Sequence, residues 1–270
     1  MRRSSFWAWI WVIIGALYFL VPLYGTFDFS LRQIRGTLSF SAYRNALTDP
    51  GFLQTFTFSF RMAVLTIIVS ILLIVPTAYW VHLRLRKLRS VVEFITLLPF
   101  VIPAIVLVFG MIKLYSKPIR LFGLPIFPAF TGSTFGTDVL LVAGYVVLAL
   151  PYMYRAVDTG LRTIDVGTLT EAAQSLGAGW GTILWRIILP NLRTALLSGA
   201  LLTFAIVIGE LTLATFLARP AFGPYLALLG NHKTYEPSAL AIISFAITWA
   251  AMGVIQFISR GNTGQIAGGH

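Results

Sequence analysis

Few side chains in this sequence are placed to do chemistry. Its nine acidic residues, Asp28, Asp49, Glu93, Asp138, Asp158, Asp165, Glu171, Glu210 and Glu236, are scattered, with no local pairing of a nucleophile and a base. With no cysteine there is no thiol nucleophile, thiolate metal site or disulfide, and the redox compartment is unreadable. The histidines His82, His232 and His270 lie far apart and form no i, i+4 pair, so a histidine metal site has no local support. A phosphate-cradling loop needs Gly-Lys followed by Ser or Thr, yet the four lysines follow Arg86, Ile112, Ser116 and His232. No catalytic residue, metal ligand or nucleotide site is therefore expected in this chain.

Two acids stand out by their surroundings. Glu210 lies in the apolar stretch Ile206-Val207-Ile208-Gly209-Glu210-Leu211-Thr212-Leu213, where a carboxylate facing lipid would be expensive. It should face other helices or a watery path. In one reading it lines a translocation route and favours a cationic substrate. In the other it is protonated or hydrogen-bonded to a neighbouring helix and steadies packing beside Gly209. Glu171 belongs to a polar connection considered below.

The elements that must position these residues belong to a membrane. Of 270 residues, 57% are hydrophobic and only 11% charged, against about half and a quarter in soluble chains, and mean hydropathy is +0.84. The net charge of +11 does not indicate nucleic acid, because the basic residues flank apolar runs and suit topology signals and snorkelling anchors. A spanning helix needs about 20 apolar residues. Six such runs are predicted, over residues 6–24, 57–81, 91–115, 139–154, 194–218 and 239–258, within one all-α, polytopic domain covering 1–270. The first is too long for a signal-peptide core and lacks a small-x-small site after it, so it is expected to remain as an anchor. Pro76, Pro99, Pro103 and Pro151 mark expected bends inside these runs. The Gly268-Gly269-His270 ending has the look of an appended tail.

Orientation follows the lysines and arginines. Eleven of the 20 fall inside if both termini are cytoplasmic, and Arg84, Arg86, Lys87 and Arg89 crowd one short connection that decides the choice. On that assignment one long connection, residues 155–193, faces the cytoplasm, where soluble partners are met. Thr168-Leu169-Thr170-Glu171 matches a capping box, with Thr168 as N-cap and Glu171 at the third helical position. Gly177-Ala178-Gly179 supplies a stop, and a second short helix is expected from Trp180 to Leu189, ended by Pro190. Its stripe Ile183, Leu184, Ile187 and Ile188 should pack on the protein's own helices.

Glu171-Ala172-Ala173, then Gly177, then a hydrophobic run closing in Ile188-Leu189-Pro190, resembles the EAA loop of ATP-binding-cassette importer permeases of type I, and similarity of layout extends over about residues 6–260. The resemblance implies a permease fold in which Glu171, Ala172, Ala173, Gly177 and Ala178 dock on a cytoplasmic ATPase. It implies two ATPase subunits that bind ATP and magnesium, a second permease subunit, identical or related, and an extracytoplasmic solute-binding protein. The setting would be a bacterial inner membrane. Within the family, Val21-Pro22-Leu23-Tyr24, Leu38-Ser39-Phe40-Ser41-Ala42-Tyr43 and Arg260-Gly261-Asn262 look most like spermidine/putrescine permeases, while ferric-iron, phosphonate and sulphate permeases share the layout. The outer connections 27–55 and 220–237 would meet the binding protein. Two readings from other classes stand beside this one. An ion-coupled secondary transporter would call for several intramembrane charges and related halves, whereas a membrane scaffold would leave the Glu171 loop without a purpose.

Overall fold

Long apolar runs become helices here because a peptide group in hydrocarbon has no water to bond and must find its partner within its own segment. The computed structural model describes residues 3–34, 37–121 and 124–261; Arg2, Asn262 and the Gly268-Gly269-His270 tail lie outside them. In chain order the helices are α1 (Arg3–Ser30), α2 (Ser41–Thr48), α3 (Pro50–Leu83), α4 (Arg89–Val101), α5 (Ala104–Tyr115), α6 (Thr134–Arg162) and α7 (Val166–Ser175). They continue with α8 (Trp180–Asn191), α9 (Arg193–Gly209), α10 (Thr212–Phe216), α11 (Phe222–His232) and α12 (Glu236–Gly261). A single antiparallel hairpin, β1 (Ile119–Leu121) with β2 (Leu124–Phe127), interrupts the helices among the described residues, in the proline-rich connection before α6.

Three helices are each long and apolar enough to cross a membrane, over Trp7–Ser30, Pro50–Leu83 and Thr134–Arg162. Two of the expected spans are bent pairs. Residues 91–115, expected as one span, divide into α4 and α5, which meet at 101°. Pro103 explains the break: it has no N–H to continue the ladder, and it pushes Ile102 to an extended backbone at ψ 116°. Pro99, inside α4, leaves that helix intact. The expected span 194–218 stops at Gly209 and resumes as the five-residue α10. It is preceded by α8, which joins α9 at 77°.

The described residues fall into two compact units, one running from the chain's start to Gln54 together with Tyr225–Ala250, the other formed by Thr55–Pro224 and the end of α12. In the first unit Ser30 hydrogen-bonds the Tyr43 hydroxyl at 2.7 Å, and Ala42 and Ala46 on α2 are buried. Gln33 accepts from Ser41 at 2.7 Å and donates to Glu236 at 3.4 Å. No residue in the apolar window of α1 is buried in the isolated chain, as suits a lipid-facing helix.

In the second unit α6 and α9 pack closely. Lipid is as apolar as leucine, so such helices adhere by close approach rather than by leaving water. Small residues allow that approach. A methyl on Gly199 would come within 2.7 Å of the Met153 sulfur and 3.2 Å of Ala156, and one on Gly160 within 2.6 Å of Ala195. Around this seam Tyr79, Met153, Val157, Leu161, Ile183, Ile188 and Leu192 form a closed core.

At the end of α6 one carboxylate gathers two guanidinium groups and an imidazole from three helices. Asp158 is buried; it takes His82 Nε2 at 2.7 Å, Arg89 Nη2 at 3.2 Å and Arg162 Nη2 at 2.8 Å. Glu93 also accepts from Arg89 at 2.8 Å. Acids that look scattered along the chain thus converge, and only the i, i+4 pairs Arg89/Glu93 and Asp158/Arg162 gave a local sign of it.

Replacement of Gly199 by leucine is expected to force α6 and α9 apart, lowering stability by about 1–3 kcal/mol. A lower thermal midpoint of the detergent-purified chain would register it; an unchanged midpoint would contradict the seam. Asp158→Asn should cost roughly 1–3 kcal/mol, less than a fully buried pair because both guanidinium groups reach solvent. Arg44→Gln, at an exposed position away from the cluster, serves as the comparison in the same melt.

Candidate functional site

The polar connection after α6 folds into a capped helical hairpin, and each cap can be read from its residues. Asp165, not Thr168, is the N-cap of α7: its carboxylate accepts the Thr168 N–H at 3.1 Å and the Thr168 hydroxyl at 2.7 Å. The helix therefore begins at Val166, and Glu171 lies mid-helix rather than in a capping box. An aspartate three residues earlier competes better, because its charge also favours the helix dipole. Those hydrogen bonds from Thr168 hold the Asp165 carboxyl below the usual carboxylate range. The cap is thus complete at neutral pH and is lost only as acidification passes through that lowered value.

The far end of α7 closes as a Schellman motif. The Ala178 N–H reaches the Ala173 carbonyl at 3.0 Å and the Gly177 N–H reaches the Gln174 carbonyl at 2.9 Å. Gly177 has φ +81°, a backbone region that costs a residue with a side chain about 1 kcal/mol or more. Nothing lies near the place of its missing methyl, so conformation rather than space selects glycine.

This arrangement sorts the expected docking residues by face. Glu171, Ala172 and Gly177 are exposed, and Leu176 beside them is 90% exposed. Ala173 points inward, 6% exposed, and Ala178 is half-buried against the same core. The outward surface is therefore Glu171, Ala172, Leu176 and Gly177, and Leu176 was not picked out by the sequence pattern.

The second helix, α8, runs on through Pro190 to Asn191 instead of ending at the proline. Pro190 cannot donate to the Arg186 carbonyl, and the turn from Ile183 to Ile188 is widened, with the Leu189 N–H reaching back to Leu184. Ile183 and Ile188 are fully buried, while Leu184 and Ile187 pack against the same core, as the stripe predicted.

Aromatic and hydroxyl contacts fasten the hairpin to the end of α3. Buried Tyr79 hydrogen-bonds the Thr170 hydroxyl at 3.0 Å. Trp80 lies 4.7 Å from Trp180, and the Arg84 guanidinium covers both rings at 5.7 and 5.2 Å. A displacement of the Leu176 tip is thus resisted at two places, α3 through Thr170 and Trp180, and α9 through the bend at Leu192.

Glu210 sits where α9 unwinds. Its carboxylate accepts the Leu213 N–H at 2.9 and 3.0 Å and the Ala214 N–H at 3.2 Å, so it caps α10 from the preceding turn. Gly223 returns so closely that a methyl there would strike the Glu210 carbonyl, and the Phe222 N–H bonds Ser59 at 2.8 Å. Beyond α10, Arg219 pairs with Asp138 at 2.6 Å and covers the Phe58 ring at 5.3 Å. A separate cavity of about 900 Å³ opens among α4, α6 and α9, where Phe100 and Tyr152 face Glu93, Arg155, Asn191 and Ser198. Glu210 does not line it.

A family model described as "Binding-protein-dependent transport system inner membrane component" matches residues 71–261, the stretch that contains the hairpin, the capped break and the cavity. The spermidine/putrescine transport system permease protein PotC of Haemophilus influenzae is 32% identical over 126 residues, 45% of this chain and 49% of that one. The alignment with that relative thus spans about half its length. The molybdenum transport system permease protein ModB of Mycobacterium tuberculosis is 28% identical over 211 residues, 76% of this chain and 73% of its own. Among solved structures, a bacterial ABC transporter involved in the import of the acidic polysaccharide alginate contains a chain of the same fold, with TM-score 0.71 over 97% of both chains at 16% identity. With more than half its length matched, this multi-pass chain belongs to the family of inner membrane components of binding-protein-dependent transport systems.

Proposed function

We propose that the chain is the permease subunit of an ATP-driven importer, passing a small solute from an extracytoplasmic binding protein into the cytoplasm. The observation that carries this reading is the exposed Glu171-Ala172-Leu176-Gly177 tip of a hairpin held to the ends of two membrane helices. Docked on an ATPase, that tip acts as a lever. Approach of two nucleotide-loaded ATPases pushes both hairpins, and α3 and α9 follow because Tyr79, Trp180 and the buried Ile188 leave little slack. Hydrolysis releases the push. ATP and magnesium belong to those partners. A second permease, identical or related, completes the path, and both termini of this chain are cytoplasmic. Glu171, Ala172, Leu176 and Gly177 make the coupling surface, and Ala173 and Ala178, turned to the core, hold the cap that shapes it.

Glu210 belongs to the translocation path as the cap that fixes the broken fifth span. Its carboxylate is engaged by backbone N–H groups, so it acts on the shape of the route rather than as a bare counter-ion for cargo. For cargo we propose a polyamine: the permease relatives include those named for spermidine and putrescine, and the cavity offers the aromatic rings of Phe100 and Tyr152 to an ammonium group.

Co-expression with a candidate partner ATPase tests the assignment. ATP turnover that rises with a loaded binding protein is the expected result, and robust uptake by this chain alone would sink it. Gly177→Asp is expected to leave membrane insertion unchanged while weakening ATPase association about tenfold, by straining the positive-φ turn and placing a charge at the tip. Undiminished pull-down of the ATPase would remove the hairpin from the coupling role.

A further inference from the structure

Next to the Asp158 cluster lies a second, smaller cavity of about 460 Å³, lined by Val81, His82, Arg86, Arg89 and Arg162. Its charges do not balance. Asp158 and Glu93 answer two of the three arginines, Arg89 and Arg162. Arg86 has no acidic partner among the described residues, and its one side-chain hydrogen bond goes to the His82 carbonyl in the last turn of α3 at 3.2 Å. A guanidinium has five N–H donors in a planar fork, so most of this group's capacity faces the cavity and its mouth. That fork suits the paired oxygens of a phosphodiester.

The rim adds a second, independent sign. On the turn that carries Arg86, Leu85 and Leu88 are 45% and 48% exposed, alternating with Arg84, Lys87 and Arg89. Exposed leucines between arginines are costly beside water but suited to the boundary of a bilayer, where the leucines meet acyl chains and the arginines meet headgroups. The turn follows directly on α3, a helix apolar and long enough to cross the membrane.

We propose that this cavity is a binding site for one anionic glycerophospholipid, whose phosphodiester is held by Arg86 with His82 and Arg162 and whose acyl chains lie over Leu85 and Leu88. A bound phosphodiester would also brace the Asp158 cluster, and through His82 the end of α3 from which the hairpin hangs. The site depends on the chain being a membrane protein and not on which solute it moves.

Native mass spectrometry of the purified full-length chain, titrated with phosphatidylglycerol or with phosphatidylcholine of the same acyl length, tests this. The expected result is a single tightly retained phosphatidylglycerol. Arg86→Gln should weaken it roughly thirtyfold, the scale of a lost charge-assisted hydrogen bond, and Lys87→Gln by no more than about fivefold, the scale of diffuse surface attraction. Inorganic phosphate should not displace the lipid. Arg86 is exposed, so both variants should melt like wild type without lipid, and Arg86→Glu should abolish retention. Equal losses in the Arg86→Gln and Lys87→Gln variants, no preference over phosphatidylcholine, or displacement by phosphate alone would each overturn the proposal.

Discussion

An unpaired peptide group in hydrocarbon costs several kcal/mol, and this requirement shapes the chain wherever it departs from a straight helix. The breaks are made where something replaces the missing ladder. At Pro103 the missing donor belongs to the proline itself. At Glu210 the side chain turns back and supplies acceptors for the N–H groups of the next helix. At Pro190 the helix widens instead of breaking, and Leu189 bonds five residues back. A membrane chain can therefore be bent at chosen points without stranding its backbone.

In the proposed coupling role those bends give the hairpin its purchase. Had 180–218 run as one straight rod, a push at Leu176 would slide it along its axis; with a 77° turn between α8 and α9 the same push would become a rotation. Rotation is useful only if the hairpin cannot shear away from α3. Tyr79 against Thr170, and the sandwich of Trp80, Trp180 and Arg84, prevent that by joining neutral and cationic groups whose contacts do not rely on exclusion of water alone. The glycine seam between α6 and α9 performs the corresponding service deeper in the helices, by allowing backbones to meet where no hydrophobic force draws them together.

Asp158 ties this arrangement to α4. One buried carboxylate with two guanidinium groups and an imidazole holds together the ends of α3, α4 and α6, and an arginine fork fixes direction as well as distance. Such a cluster is poor at adding net stability but good at selecting one alignment of three helices over its neighbours, since sliding any of them by a turn would leave a charge without its partner.

Class, helical content and family were legible in the residues, because apolar length, basic flanks and the Glu171-Ala172-Ala173 to Gly177 spacing are local properties of the chain. Gly177 and the inward stripe of α8 were legible for the same reason: a positive φ and a 3.6-residue period each leave a mark in consecutive residues. Hydropathy alone could not separate a straight span from a bent pair, since α4 and α5 are as apolar as an unbroken helix. The capping box at Thr168 was a plausible local pattern displaced by Asp165, a stronger cap just outside it. Which face of the hairpin is exposed, the turning of Glu210 onto its own backbone, and the meeting of His82, Arg89 and Asp158 across some seventy residues were decided by tertiary structure alone. Such contacts depend on how helices are rotated about their axes, and that rotation is set by the neighbours they pack against rather than by the order of residues within them.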